Sequence, residues 1–234
     1  MKISIKRDDG FVEYESVLEG ATLLEVLSDI KQNSDNSLCF SSGCRSSVCG
    51  SCSMRINEVE VLACSYKVQD GDIVEALKNV EVIRDLVVDM DKAYSFNQKA
   101  KTWLSKLALN NSLDESDEKA NALQSDCILC GSCYSACPVY AVNGEFLGPF
   151  SLTRVWKYVN DKREEDVQGK VSDIQNNGIW DCTLCGNCTV VCPQNISSKA
   201  DIEMLRMKSA QYGLMDPNFG SFDGGFGFDG SPQF

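Results

Sequence analysis

Histidine is absent from all 234 residues. That removes Ser-His-Asp catalysis, His-ligated haem, Rieske-type ligation and the usual catalytic zinc site with histidine ligands in one step. Long apolar runs are also missing. Nothing approaches the ~20 residues that span a bilayer, so any membrane attachment is expected to pass through a partner. Basic residues are the minority, 22 against 34 acidic ones. A net charge of -12 argues against a nucleic-acid backbone or an anionic membrane surface as ligand. Another protein is the expected contact. The chain opens MKISIKRDD with no apolar h-region or cleavage site, so cytoplasmic synthesis and cofactor loading are expected.

Cysteine is what the chain has in excess, with thirteen residues. A disulfide scaffold belongs to oxidising compartments and usually to short secreted chains, so these thiols read as metal ligands. The run CILCGSCYSACP (Cys127 to Pro138) has the C-x2-C-x2-C-x3-C-P spacing that wraps a cubane iron-sulfur cluster, and CTLCGNCTVVCP (Cys182 to Pro193) repeats it. In two-cluster ferredoxins the fourth cysteine of each run ligates the cluster of the other. The assignment is therefore Cys127, Cys130, Cys133 and Cys192 for one 4Fe-4S cluster, and Cys182, Cys185, Cys188 and Cys137 for the second. Upstream, Cys44, Cys49, Cys52 and Cys64 have the plant-type spacing for a 2Fe-2S cluster. Gly43 and Gly50 give that loop backbone freedom close to the sulfurs. Cys39 is left over and reads as a small buried apolar residue. Cysteine quartets also suit zinc. The repeated run with its proline, joined to a plant-type loop, favours clusters, and iron content separates the two readings.

The length exceeds a typical domain of ~100–200 residues, so two domains are expected. Residues 2 to 17 alternate around Asp8-Asp9-Gly10 and predict a hairpin. Thr22 and Glu25 have capping-box spacing, and Leu23, Leu24, Leu27 and Ile30 recur on one helical face. A second hairpin is expected over Met54 to Ile56 and Val59 to Ala63, and a closing strand over Ile73 to Leu77. Residues 1–92 thus predict a β-grasp plant-type ferredoxin domain. From Met90 the pattern turns helical. Ser112 to Lys119 (SLDESDEK) reads as a solvated acidic connector. Leu152, Val155, Trp156 and Val159 mark a helix with one buried face, and Lys162 to Asp166 is expected to return it to solvent. Ile202, Leu205, Ser209 and Tyr212 mark a last helix, and Trp156 and Trp180 read as core. Residues 93–214 predict an all-α helical ferredoxin domain with two cubane clusters, so the fold class is α+β. Residues 215–234 read as a flexible Gly/Phe-rich tail whose phenylalanines could dock on a partner.

The two halves in this order resemble the iron-sulfur subunit of succinate dehydrogenases and fumarate reductases. CRSSVCGSC (Cys44 to Cys52), Leu62-Ala63-Cys64, VIRDLVVDM (Val82 to Met90), Cys127-Ile128-Leu129-Cys130 and FLGP (Phe146 to Pro149) match the family in its own order, through about residue 214. The resemblance implies an electron-transfer subunit with no catalytic residue of its own. It would pass single electrons between an FAD-containing succinate/fumarate subunit and a membrane-side, quinone-linked partner. It implies attachment to the cytoplasmic membrane through partners, on the cytoplasmic side, with periplasmic placement by co-export as the alternative. A freestanding multi-cluster carrier is the competing reading, although diffusing cubane ferredoxins are commonly shorter.

Three positions depart from the family. Ser47 stands where glycine is common. Cys185 occupies a ligand position that is commonly not cysteine, where the family's last cluster is 3Fe-4S; an atypical subgroup shares the extra thiol, which implies a second 4Fe-4S cluster. Thr183 replaces the histidine of quinone-reducing members. The last two imply a cysteine-rich redox subunit on the membrane side instead of a haem-b anchor with a quinone against Pro138 and Thr183.

Overall fold

In the computed structural model, which describes residues 1–108 and 111–217, β1 (Lys2–Arg7) and β2 (Gly10–Glu15) pair antiparallel with Ile3 opposite Tyr14 and Ile5 opposite Val12. The turn falls on Asp8-Asp9, as the alternation predicts. Ile3, Ile5 and Tyr14 are buried, whereas Val12 on this edge strand and Val17 beyond its end stay exposed. Helix α1 (Leu23–Asn33) opens on the expected capping box: Thr22 Oγ1 accepts the Glu25 N–H, and the Thr22 N–H donates to the Glu25 carboxylate at 2.7 Å. Its apolar face buries Leu23, Leu24, Leu27 and Ile30, with Val26 beside them. Each such side chain contributes ~1.5–3 kcal/mol relative to exposure.

The remaining strands are β3 (Ser53–Ile56), β4 (Val59–Leu62) and β5 (Asp72–Glu75). The sheet runs β2-β1-β5-β3-β4, with β5 parallel to β1 and antiparallel to β3. This is the β-grasp order. A separate hairpin, β6 (Glu81–Arg84) and β7 (Val87–Asp89), carries the VIRDLVVDM segment. Arg7 ties three segments together. Its guanidinium donates to Asp85 at 2.7 Å and to Asp35 at 2.5 Å, and Asp85 accepts the Cys39 N–H at 2.8 Å. The approach to the first cysteine loop is thereby pinned to β1 and to the β6–β7 turn.

Beyond Asp89 the regular structure of the described residues is helical, apart from an isolated bridge between Leu107 and Glu164. The helices are α2 (Asp91–Lys99), α3 (Glu115–Ser125), α4 (Ser132–Ser135), α5 (Pro138–Val142), α6 (Pro149–Val159), α7 (Val167–Asp173), α8 (Asn187–Val190) and α9 (Ser198–Gln211). Leu152, Val155 and Val159 of α6 and Ile202, Leu205 and Ser209 of α9 are buried as their periodicity predicts. Trp156 and Trp180 pack against this core half-buried. Tyr134 stands edge-on to Tyr140 at 4.8 Å, with Phe96 and Phe150 around them.

Three expectations are corrected. Ser112 to Lys119 is not a loop, because it launches α3. Asp114 accepts the N–H of Ser116 at 2.8 Å and of Asp117 at 3.2 Å, while the Asp117 carboxylate accepts the Asp114 N–H at 2.8 Å. This is a capping box built from two aspartates. No residue of α3 is buried, so the segment is solvated but helical. Glu164 does not return to solvent: it is 5% exposed, 3.4 Å from the 1%-exposed Lys170 ammonium, whose burial demands an acid. Cys39 is only half-buried, its thiol donating to the Ser37 carbonyl. The Gly/Phe-rich tail lies, from residue 218 onward, outside the described residues.

Candidate metal centres

The first cysteine loop turns back on itself at left-handed residues, Arg45 and Ser47 (both φ 60°) and Gly50 (φ 73°). The turns aim main-chain N–H groups at sulfur. Cys44 Sγ accepts from Val48 and Cys49 at 3.3 Å and from Ser46 at 3.4 Å, and Cys64 Sγ accepts from the Ser47 N–H at 3.3 Å. The N–H groups of Ser46 and Val48 hold the Cys44 thiol down to about 6, so a thiolate is favoured there. Burial pushes Cys52 up to about 11. At Cys64 burial also works upward, but the Ser47 hydroxyl, Cys52 and the Ser47 N–H leave the thiol below its ordinary value. Gly43 is needed here, since a Cβ at that position would lie 2.8 Å from Cys49 Sγ.

The two later runs share one local design. Leu129 and Gly131 (φ 54° and 81°) recur as Leu184 and Gly186 (φ 55° and 85°), each pair swinging the chain around its thiols. Each run then enters a short helix, α4 or α8. Pro138 opens α5, and Cys137, its N-cap residue, accepts the Tyr140 N–H at 3.4 Å. One cavity is lined by Cys127, Cys130, Cys133 and Cys192. Cys137 stands instead among the thiols of the second run: burial first, then Cys182, Cys137 and Cys185, push Cys188 up to about 12. The fourth cysteine of each run is thus brought to the other run.

Four neutral thiols forced together by burial disfavour their charged forms, and a cationic cluster core of irons would reverse that. Arg154 adds an independent sign. Its Nε is buried without a hydrogen-bond partner, and its neighbour Thr153 lines the Cys127 cavity. Burial raises the Cys127 thiol, opposed by the Leu129 N–H and the Arg154 guanidinium. An unpaired guanidinium N–H beside four thiols fits a site for an anionic group. Four thiols lining one cavity, with an unpaired guanidinium N–H beside them, are a donor set that fits an iron-sulfur cluster.

Sequence reasoning missed Arg154, whose only signal is a cation interrupting the apolar stretch of α6. It also missed Gln194, which lines the cavity of Cys127, Cys130, Cys133 and Cys192 and donates to the Ser47 carbonyl at 3.2 Å. Arg206, stacked over Trp180 at 5.3 Å, pins the second run by donating to the carbonyls of Ile179 and Cys182.

Residues 5–95 match the 2Fe-2S iron-sulfur cluster binding domain family, and residues 124–196 match the 4Fe-4S dicluster domain family. The chain is 36% identical over 236 residues to the 8-methylmenaquinol:fumarate reductase iron-sulfur subunit of Wolinella succinogenes, covering 92% of this chain and 74% of that protein. It is 34% identical over 210 residues to the fumarate reductase iron-sulfur subunit of Escherichia coli O157:H7, covering 85% of each. Its fold matches a chain of the Mycobacterium smegmatis Sdh1 complex in the apo form, with a TM-score of 0.79 at 22% identity over 90% of this chain and 95% of that one. By these likenesses the chain belongs to the family of fumarate reductase and succinate dehydrogenase iron-sulfur subunits.

Proposed function

We propose that this chain is the electron-conducting subunit of a succinate dehydrogenase or fumarate reductase complex, linking an FAD-containing subunit to a membrane-side redox partner. The observation that carries this reading is the grouping of twelve cysteines into three quartets along one chain. Cys44, Cys49, Cys52 and Cys64 would hold a 2Fe-2S cluster. Cys127, Cys130, Cys133 and Cys192 would hold a 4Fe-4S cluster, and Cys182, Cys185, Cys188 and Cys137 a second. When bound, each supplies a one-electron redox centre. The chain's own residues hold these centres, shield them and aim N–H donors at their sulfurs. The separate apolar cores, one ending at Leu86 and the other beginning at Ala93, support a division into domains 1–92 and 93–214.

Cys185 makes the last quartet a full set of thiolates, which supports 4Fe-4S over 3Fe-4S. Val142 and Val190, near this quartet, are 87% and 84% exposed. Val190 shares a surface cavity with Cys137, Pro138 and Ala141. Such apolar exposure supports a protein partner on this side, in our reading a cysteine-rich subunit meeting the cytoplasmic face of the membrane. No helix among the described residues is long and apolar enough to cross a membrane. Cys49→Ser in the assembled complex tests the reading. Electron flow from flavin to the distal centres should be abolished while flavin chemistry with a soluble dye continues; undiminished flow through the complex overturns it.

A further inference from the structure

Gly50 is buried although Cys44, Cys49 and Ser51 around it are exposed, and what buries it is the other half of the molecule. A Cβ built on Gly50 would stand 2.8 Å from Cys130 Cβ, 2.9 Å from Cys130 Cα and 3.0 Å from the Ile128 carbonyl oxygen. Those are backbone or near-backbone atoms that cannot swing aside, and the positive φ of Gly50 disfavours any side chain independently. The main chain between Cys49 and Cys52 therefore lies directly against a thiol-bearing residue of the first cubane quartet. Ile128 and Cys130 in turn pack against the apolar core of the N-terminal half.

Two hydrogen bonds hold this approach in register. Ser53, directly after Cys52, shares a buried hydrogen bond of 2.8 Å with Ser132, which also accepts from Cys130 Sγ at 3.4 Å. Gln194, two residues after Cys192, donates to the carbonyl of Ser47 at 3.2 Å. Each bond joins a residue next to a cysteine of the 2Fe-2S quartet, or within its loop, to a residue within two positions of a cysteine of the first cubane quartet.

We infer that Gly50 is the positioning residue of the first inter-cluster gap: its missing side chain lets the Cys49–Cys52 loop seat on Cys130, and the Ser53–Ser132 and Gln194–Ser47 bonds lock that seat. The inference rests on the ligand assignment above. The step it serves moves one electron from one quartet's centre to the other's, oxidising the first and reducing the second, with no proton transferred and no bond made or broken. Because electronic coupling falls steeply with separation, a displaced seat weakens transfer while leaving both centres intact.

The test uses the full, cluster-loaded chain in its complex, with Gly50→Ala, Gln194→Leu and Gly20→Ala compared with the parent. Gly20 has the same left-handed backbone (φ +67°) but nothing within 4 Å of a built Cβ, so it carries the strain without the contact. Iron content and the reduced 2Fe-2S resonance confirm loading. The readouts are the magnetic broadening of that resonance by the neighbouring reduced centre and the rate of electron equilibration between the two. Gly50→Ala should measurably reduce the broadening and slow equilibration at full iron content, Gln194→Leu should shift both in the same direction by less, and Gly20→Ala should match the parent. Gln194→Leu leaves the backbone contacts in place, so the decision does not depend on Gly50→Ala assembling. Parental broadening and rate in a fully loaded Gly50→Ala, or in Gln194→Leu, would overturn the inference. The magnetic readout needs no flavoprotein, so failure of the wiring reading shows itself separately, as a parent complex with normal broadening and no flow from flavin.

Discussion

Replacing Ser47 by alanine should lower the midpoint potential of the 2Fe-2S centre. The Ser47 hydroxyl lies 3.6 Å from Cys64 Sγ, and its N–H donates to the same sulfur at 3.3 Å. When Cys64 is a thiolate only the hydroxyl can be the donor. Reduction adds negative charge to the centre and its thiolates, so a donor stabilises the reduced form more than the oxidised one. A hydrogen bond to a charged acceptor is worth ~1.5–3 kcal/mol. The added electron is shared over the whole centre, so roughly a third of this, about 0.5–1 kcal/mol, distinguishes the two redox states. At ~59 mV per 1.4 kcal/mol for one electron, the expected fall is about 20–40 mV. Alanine keeps the side-chain restraint on the backbone while removing the hydroxyl, and Ser47→Gly should lower the potential in the same direction. Ser46→Ala is the control, because the Ser46 hydroxyl donates to the Cys44 carbonyl and not to sulfur. The assay is a redox titration of the intact complex followed by the 2Fe-2S resonance. An unchanged or raised potential in Ser47→Ala, or an equal fall in Ser46→Ala, would show that the Ser47 hydroxyl does not tune the centre.

Glu164→Ala should destabilise the helical half by about 3–5 kcal/mol, because it strands the buried Lys170 cation and removes the acceptor for the Ser105 and Lys106 N–H groups at 2.6 and 3.0 Å. Loss of cluster absorbance on heating should then begin about 10 °C lower, and Lys170→Met in the same chain should recover much of the difference; a shift within error of the parent contradicts the pairing. The Asp114 cap gives a pH dependence. Hydrogen bonds from the Ser116 hydroxyl and from the N–H groups of Asp117 and Ser116 lower its carboxyl to about 2. A depressed acid contributes stability fully present above its unfolded value of ~3.9 and lost as pH falls through the folded one. Amide exchange at Ser116 and Asp117 should therefore accelerate as pH falls from about 4 to 2 relative to Asp114→Asn, which caps without that titration; identical profiles would contradict it.

What the sequence made legible was local. The capping box of Thr22 and Glu25, the alternation of β1 and the face of α6 each lie within one element, where period and spacing carry the information. The cysteine runs were legible because thiolate spacing is set by the cluster they wrap. The Asp114 cap is not legible in the sequence because two aspartates in an acidic stretch look like any polar connector, although D-x-x-D satisfies the same two donors as the commoner spelling. Glu164 was hidden for a different reason. Its partners lie on α7 and on the segment after α2, and nothing in the local charge pattern says that Lys170 will be buried against the carbonyl of Lys101. The seat of Gly50 on Cys130 was also out of reach, since a glycine between two cysteines reads as backbone freedom until the opposing chain is seen 2.8 Å from its absent Cβ. Pairings across the two halves are a property of packing.

In the proposed assignment twelve thiols hold three centres, and Cys185 supplies the fourth thiolate of a last 4Fe-4S cluster. Iron analysis combined with magnetic resonance of the anaerobically purified, oxidised complex tests it most directly. Ten irons attributable to this chain and no 3Fe-4S resonance are expected, with Cys185→Ser converting the last centre alone. A stoichiometric 3Fe-4S signal with nine irons in the parent chain, or zinc in place of iron, would contradict it.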